Sequence, residues 1–201
     1  KRAAEEIRAA MLEHLWDEEN GRFIRMLIPA NARLGREESR DTTADASLFG
    51  LHFLGVFDRS EPRLVRTLDS IAEKLRVHTS VGGMARYSGD YYHAVTDDVD
   101  TVPGNPWFIG QAWLARWKMS GANTPEELDA ALEPLRWIAR NATPSGLLPE
   151  QVHPFTGAPL AVTPLTWSHA AYVSAVHDYL DRHARLKSCE ACGATTHPAG
   201  R

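Results

Sequence analysis

Residues suited to capping a helix stand shortly before several prolines, among them Ser60 before Pro62, Asn105 before Pro106, Thr124 before Pro125 and Thr163 before Pro164. Proline lacks an amide hydrogen and holds φ near −65°, which suits the first turn of a helix. Helices are therefore expected from Ser60, from Asn105-Pro106, from Pro125 to about Asn141 and from Thr163-Pro164 to about His183, the last with Ala170, Val173 and Leu180 on one side. Thr124 and Glu127 are also spaced as a capping box. Ile7, Met11 and Leu15 recur every four residues and predict a helix over about 1–16, and another is expected over about 41–57. Strand signals are scarce. One hairpin is expected over 17–27, because Asn20-Gly21 suits a primed turn and Phe23, Ile24 and Leu27 favour strand.

Six helices of roughly 14 to 20 residues, joined alternately by short and long connections, predict an all-α fold, a helical-hairpin array. Composition allows a packed core: 43% of the 201 residues are hydrophobic, six are tryptophan, and the net charge is only −4. The greasiest stretch, Leu48 to Phe57, is interrupted by His52 and is too short for the roughly 18 apolar residues that a bilayer requires. No membrane partner is expected. The chain also lacks a clustered Lys/Arg stripe, so no nucleic-acid partner is expected either. It begins Lys1-Arg2-Ala3-Ala4, directly in a helical pattern, which suggests a piece of something longer.

Two connections are long, 78–104 and 142–163, and loops of that length in compact domains tend to carry function. The first contains Arg86, Tyr87, Asp90 and several glycines, and it runs into Gly104-Asn105-Pro106-Trp107-Phe108. A fixed cation, a carboxylate and aromatic rings suit a polyhydroxylated ligand, whose hydroxyls meet charge and whose C–H face meets a ring. The same residues also fit a surface ion pair between Arg86 and Asp90 and a core role for Trp107. The second loop contains Pro149-Glu150-Gln151 and closes with Pro164-Leu165-Thr166-Trp167-Ser168-His169. Glu150 follows a conformationally fixed proline and precedes a neutral donor, a setting suited to taking a proton from water, although a solvated loop glutamate is the plainer reading. Ser168 and His169 are adjacent on a helix and face different ways, so they form no nucleophile pair.

Taken in order, Arg86-Tyr87 with Asp90, then Gly104-Asn105-Pro106-Trp107-Phe108, then Pro149-Glu150-Gln151, then Pro164-Leu165-Thr166-Trp167-Ser168 resemble the C-terminal motif series of the glucoamylases, family fifteen of the glycoside hydrolases. The resemblance covers roughly 1–183, including the Asp45-Ala46-Ser47-Leu48 helix start. It implies about half of an (α/α)6 toroid, with 1–185 as a partial catalytic domain and 186–201 as a polar, flexible tail. The activity it implies is that of an inverting exo-hydrolase releasing glucose from α-linked glucans or oligosaccharides, without a cofactor. Inversion needs two carboxyls about 6.5 to 9.5 Å apart, one to protonate the leaving oxygen and one to activate water. By position Glu150 corresponds to the general base. Arg86 corresponds to the arginine that binds hydroxyls of the terminal glucose, with Tyr87, Asp90, Trp107 and Gln151 around the same subsite. Trp167 matches an aromatic with either a wall or a packing role.

One element of that pattern is missing. The family's general acid lies in a Trp-Glu-Glu-type segment upstream of the arginine loop; Trp16-Asp17-Glu18-Glu19 is similar only on the surface, since it lies directly before the Asp45 helix start. The resemblance therefore implies a fragment that lacks the acid, inactive alone and completed by upstream sequence or by another chain. An α,α-trehalase of the same family and a non-catalytic carbohydrate-binding remnant are the alternatives. A structural zinc at Cys189 and Cys192, with His183 and His197 near them, is disfavoured because one Cys-x-x-Cys pair supplies only two of four ligands. Location is open, with the cytoplasm favoured.

Overall fold

The computed structural model describes residues 1–191, which divide into two compact units, one ending at Pro106 and the other starting at Trp107. In the first unit, α1 (Arg2–Ala10) runs into a single π turn (Met11–Leu15), as the apolar spacing predicts. The hairpin that follows is shorter than expected and turns differently. Strands β1 (Trp16–Asp17) and β2 (Arg22–Phe23) pair antiparallel, with Trp16 opposite Phe23. Their connection is organised by Asp17, whose carboxylate accepts from the amide of Glu19 at 3.2 Å and from the side chain of Asn20 at 2.7 Å, and it closes through Gly21 at φ 63°. A loop of that length has no use for the two-residue primed turn. Leu27 lies instead in β3 (Met26–Ile28), opposite Arg40 of β4 (Ser39–Asp41).

The long helix expected over 41–57 is cut at both ends. Asp41 belongs to β4, and helical structure begins only at a 3₁₀ turn (Ala46–Phe49) capped by Asp45, whose Oδ1 accepts from the Ser47 amide at 2.8 Å. It continues as α2 (Gly50–Phe53) and stops before Gly55, whose φ of 69° suits a glycine. Helix α3 (Pro62–Lys74) is capped by Glu61, not Ser60: the Glu61 carboxylate accepts from the Arg63 amide, while Ser60 gives both its amide and its hydroxyl to Asp58. With the Ser60 hydroxyl donated to Asp58, the cap falls to Glu61. One face of α3, carrying Leu64, Leu68 and Ile71, is wholly buried with Leu75 just beyond the helix. Nearby, the Phe23 ring stacks on Phe57 at 5.3 Å and meets the edge of Trp16 at 5.4 Å.

In the second unit, α4 (Phe108–Gly121) starts later than Asn105-Pro106 suggests, with Trp107 extended at its cap position. The helix predicted over 125–141 splits into α5 (Pro125–Ala131) and α6 (Glu133–Asn141). Pro134 has no amide hydrogen for the carbonyl of Ala130, so the ladder breaks there. The capping pair at the start of α5 forms: Thr124 Oγ1 accepts from the Glu127 amide at 3.2 Å, and the Glu127 carboxylate accepts from the Asn123 amide at 2.7 Å. After a short hairpin of β5 (Gln151–Val152) and β6 (Pro159–Leu160), α7 (Thr166–Ala191) runs well past His183. Helix α4 packs against both α6 and α7. Trp113 meets Trp167, Arg116 pairs with Asp178, and Arg182 donates to the carbonyl of Ala122, so contacts climb α4 and α7 in the same direction. The side of α7 that carries Val173 and Leu180 is exposed, at 53% and 52% accessible, whereas Ala171 and Ala175 are buried.

About half of the described residues are thus helical, with two-stranded pairings as the only sheets among them. No helix among them is long and apolar enough to cross a membrane. Cys192 and His197 of the zinc reading lie outside the described residues, as does the side chain of Cys189, and no group of three potential metal ligands occurs among the residues that are described.

Thr67 joins α3 to the hairpin in the first unit. Fully buried, its hydroxyl donates to the Arg63 carbonyl at 2.7 Å and accepts from the Phe23 amide at 2.9 Å. Replacing it with valine strands that amide, and the expected loss of stability is about 1–3 kcal/mol in denaturant unfolding, against a smaller loss for Thr67→Ser, which keeps the hydroxyl.

Candidate active site

Residues 75–106 contain no helix and are held by single pairings with their surroundings: Arg76 with Met84, Asp45 with Tyr87 and Ala85 with Pro106. Two short backbone bonds frame Arg86, one from the Ala85 amide to the Leu75 carbonyl and one from the Ala46 amide to the Arg86 carbonyl, both 2.8 Å. The chain then turns through Gly89 at φ 76°, a conformation that costs glycine little. This turn brings Asp90 back under Arg86.

The two form a bidentate pair. Arg86 Nε donates to Asp90 Oδ2 at 2.9 Å and Nη2 to Oδ1 at 2.7 Å, and the Tyr92 amide donates to Oδ1 at 3.0 Å. The Asp90 side chain is only 1% exposed and that of Arg86 is 37% exposed, so this is not the solvated ion pair that their spacing also allowed. Asp90 faces inward and fixes the guanidinium, and Arg86 is the member that reaches the surface. Burial pulls the Arg86 pKa down, but the hydrogen bond and charge of Asp90 outweigh it, and the guanidinium is held above its ordinary value. The guanidinium carbons of Arg25 and Arg86 each lie 4.9 Å from the centre of the Tyr87 ring, close enough for cation–π attraction. Arg25 is itself held by Asp45 at 2.9 Å. Burial, and after it the charge of Asp90, pushes the Tyr87 hydroxyl above its usual pKa, so it stays protonated at neutral pH and can both donate and accept. A recess of about 140 Å³ in the same loop is lined by Asp90, Tyr91, Val95, Val99 and Asn105 among others.

The second unit holds the glutamate loop. The Glu150 amide donates to the Val162 carbonyl at 2.9 Å, and the Glu150 carbonyl accepts from Phe108 at 3.3 Å. The backbone is tied on both sides and the residue is half-buried; its Oε2 is enclosed and has no hydrogen-bond partner among the described residues. An acceptor without a protein donor is suited to holding water. Gln151 follows in β5, has no exposed surface, and pairs with Trp107, which is 4% exposed. These two support the loop and offer little open surface of their own. Trp167 stands in the first turn of α7, 57% exposed, with its ring edge-on to Trp113 at 5.9 Å.

The structure therefore brings Arg86, Tyr87 and Asp90 together in one unit, and Glu150, Gln151 and Trp107 in the other. Sequence reasoning passed over Arg25, which shares the ring of Tyr87, and it valued Gly104 only as part of a motif. A Cβ on Gly104 would lie 2.8 Å from the Asp90 Cβ and 3.2 Å from that of Ala85. Close approach is the reason for glycine there, and no spacing in the sequence signals it. The Gly104→Ala variant should displace Asp90 and lose about 1–3 kcal/mol in denaturant unfolding. At Gly50, where an added Cβ meets only side-chain ends at 3.6 and 3.8 Å in a helical backbone, Gly50→Ala should be neutral or mildly stabilising. Equal stabilities for the two variants would contradict this account.

No family model matches the chain. It is 28% identical over 148 residues to an uncharacterized glycosyl hydrolase of Methanocaldococcus jannaschii, covering 69% of this chain and 22% of that protein. It is 33% identical over 103 residues to the isomaltose glucohydrolase of Kribbella flavida, covering 46% of this chain and 23% of that one. The chain thus spans under a quarter of the length of these relatives. Among solved structures, a bacterial glucoamylase complexed with acarbose superposes with a TM-score of 0.68 at 21% identity, over 89% of this chain and 28% of the other. The glucoamylase of Hormoconis resinae gives 0.56 at 18% identity, over 85% and 36%. The chain is glucoamylase-like in fold, over part of the length of those enzymes.

Proposed function

We propose that this chain is the C-terminal part of the catalytic domain of an inverting, exo-acting glycoside hydrolase, about half of an (α/α)6 toroid, that releases glucose from α-linked glucans or oligosaccharides. The observation that carries the reading is the Glu150 carboxylate: its backbone is bonded on both sides, and Oε2 is enclosed with no donor among the described residues. Likeness in fold to glucoamylases and in sequence to an isomaltose glucohydrolase supports it.

In this mechanism Glu150 takes a proton from a water molecule as the water oxygen attacks the anomeric carbon, on the face opposite the leaving oxygen. A carboxyl group outside these residues protonates that oxygen as the glycosidic bond breaks, so one proton is given and one is taken in each turnover. Arg86, permanently charged and aimed by Asp90, binds hydroxyls of the terminal glucose, and the protonated Tyr87 adds a donor beside it. Trp167, the exposed aromatic after the glutamate loop, offers a face to the C–H side of a sugar. Asp90, Gln151 and Trp107 act from behind, by fixing Arg86 and the glutamate loop. In this reading the general acid and the rest of the barrel are supplied by upstream sequence or by another chain. Trehalose is a second candidate substrate, because the groups named here address only the glucose whose bond is cut.

Expressing the full-length protein with Glu150→Gln tests the assignment. The amide keeps the shape and cannot accept the proton, so kcat on maltose, isomaltose or an aryl α-glucoside should fall by about 10²- to 10⁴-fold while KM stays within a few-fold. Activity near the wild-type level in this variant would remove Glu150 from the base role.

A further inference from the structure

Between Leu148 and Glu150 the backbone offers two amide donors and three carbonyl acceptors, since Pro149 has no amide hydrogen. Each of the five has a partner. The Leu148 carbonyl accepts from the Leu165 amide at 3.0 Å, the Glu150 amide donates to Val162 at 2.9 Å, and the Glu150 carbonyl accepts from Phe108 at 3.3 Å. The remaining two ties are made by side chains. The Ser168 hydroxyl donates to the Pro149 carbonyl at 2.8 Å, and the Leu148 amide donates to His169 Nε2 at 3.0 Å.

From this geometry we infer that Ser168 and His169 are positioning residues for Glu150, an inference that rests on the base role proposed above. The two are adjacent in the first turn of α7, and successive helical side chains diverge, so each reaches a different residue of the loop. Ser168 is 1% exposed, which removes competing water from its bond. His169 must carry its proton on Nδ1, because Nε2 accepts. Both bonds enter the loop just before Glu150, and they fix the backbone from which its side chain extends. Neither residue touches the reacting atoms. Their effect is on the distance and angle at which Glu150 meets the attacking water, a quantity to which rate is steeply sensitive.

The test compares three variants in the full-length protein. Phenylalanine at position 169 keeps a ring and removes the acceptor, whereas the glutamine amide oxygen can accept where Nε2 did. His169→Phe should lower kcat about 10- to 100-fold with KM within about two-fold, the pattern of a misplaced catalytic group. His169→Gln should recover most of that loss. Ser168→Ala, which removes the neighbouring tie without altering the ring, should lower kcat in the same way. The inference is overturned if His169→Phe or Ser168→Ala, with a wild-type circular dichroism spectrum, turns over at the wild-type rate, or if glutamine and phenylalanine at position 169 are equally impaired. It is equally overturned if KM rises in step with the fall in kcat/KM. Glu150→Gln separates this failure from failure of the functional reading: an active Glu150→Gln variant removes the base assignment itself, whereas an inactive one beside a fully active His169→Phe removes only the positioning role.

Discussion

A backbone amide or carbonyl that is taken out of water must find another partner, and outside helices and sheets those partners have to be supplied one by one. Every residue assigned here to sugar chemistry lies in or beside two long segments with little regular structure. The constraint therefore decides how they are built. Around Arg86 the partners are backbone groups of Leu75 and Ala46. Around Glu150 they include two side chains from the start of α7. In both segments these satisfied polar groups, together with buried apolar side chains such as Met84 and Leu148, hold the backbone that carries the cation and the carboxylate.

Charge follows the same economy. Asp90 is buried, and an isolated buried carboxylate would be costly, but the fork from Arg86 and the amide of Tyr92 satisfy it. Removing either member of the pair would leave the other in a poor environment, so the arrangement resists drift of the guanidinium. Gly104 sets the limit from the other side, because any side chain there would push Asp90 out of place. Tyr87 receives two guanidinium groups over its ring and keeps its hydroxyl proton.

Much of the helical layout is legible in the sequence, and the departures have local causes. Thr124, Pro125 and Glu127 mark a helix start because all of the interactions involved are local. Asn105-Pro106 carries half of the same signal but marks no start, since the Asn105 amide group donates to the carbonyl of His93 and the chain stays extended through Trp107. On α7 Ser168, Ala171, Ala175 and Leu186 are buried, and Val173 and Leu180 lie outside. In the site, residue types and order point to a cation, a base and aromatic rings, whereas burial separates those that reach out from those that hold. Arg86 and Asp90 have the spacing of a solvated pair, and only the fold encloses the aspartate.

The central claim is that the Glu150 carboxylate activates the attacking water on the face of the sugar opposite the departing group. Following hydrolysis of an α-linked glucoside by proton NMR in its first minutes, before the anomers equilibrate, reads that stereochemistry directly. The account predicts β-glucose as the initial product, with the α anomer appearing only through mutarotation. Initial release of α-glucose would contradict it, because a retained configuration requires the second carboxylate to bond the sugar itself.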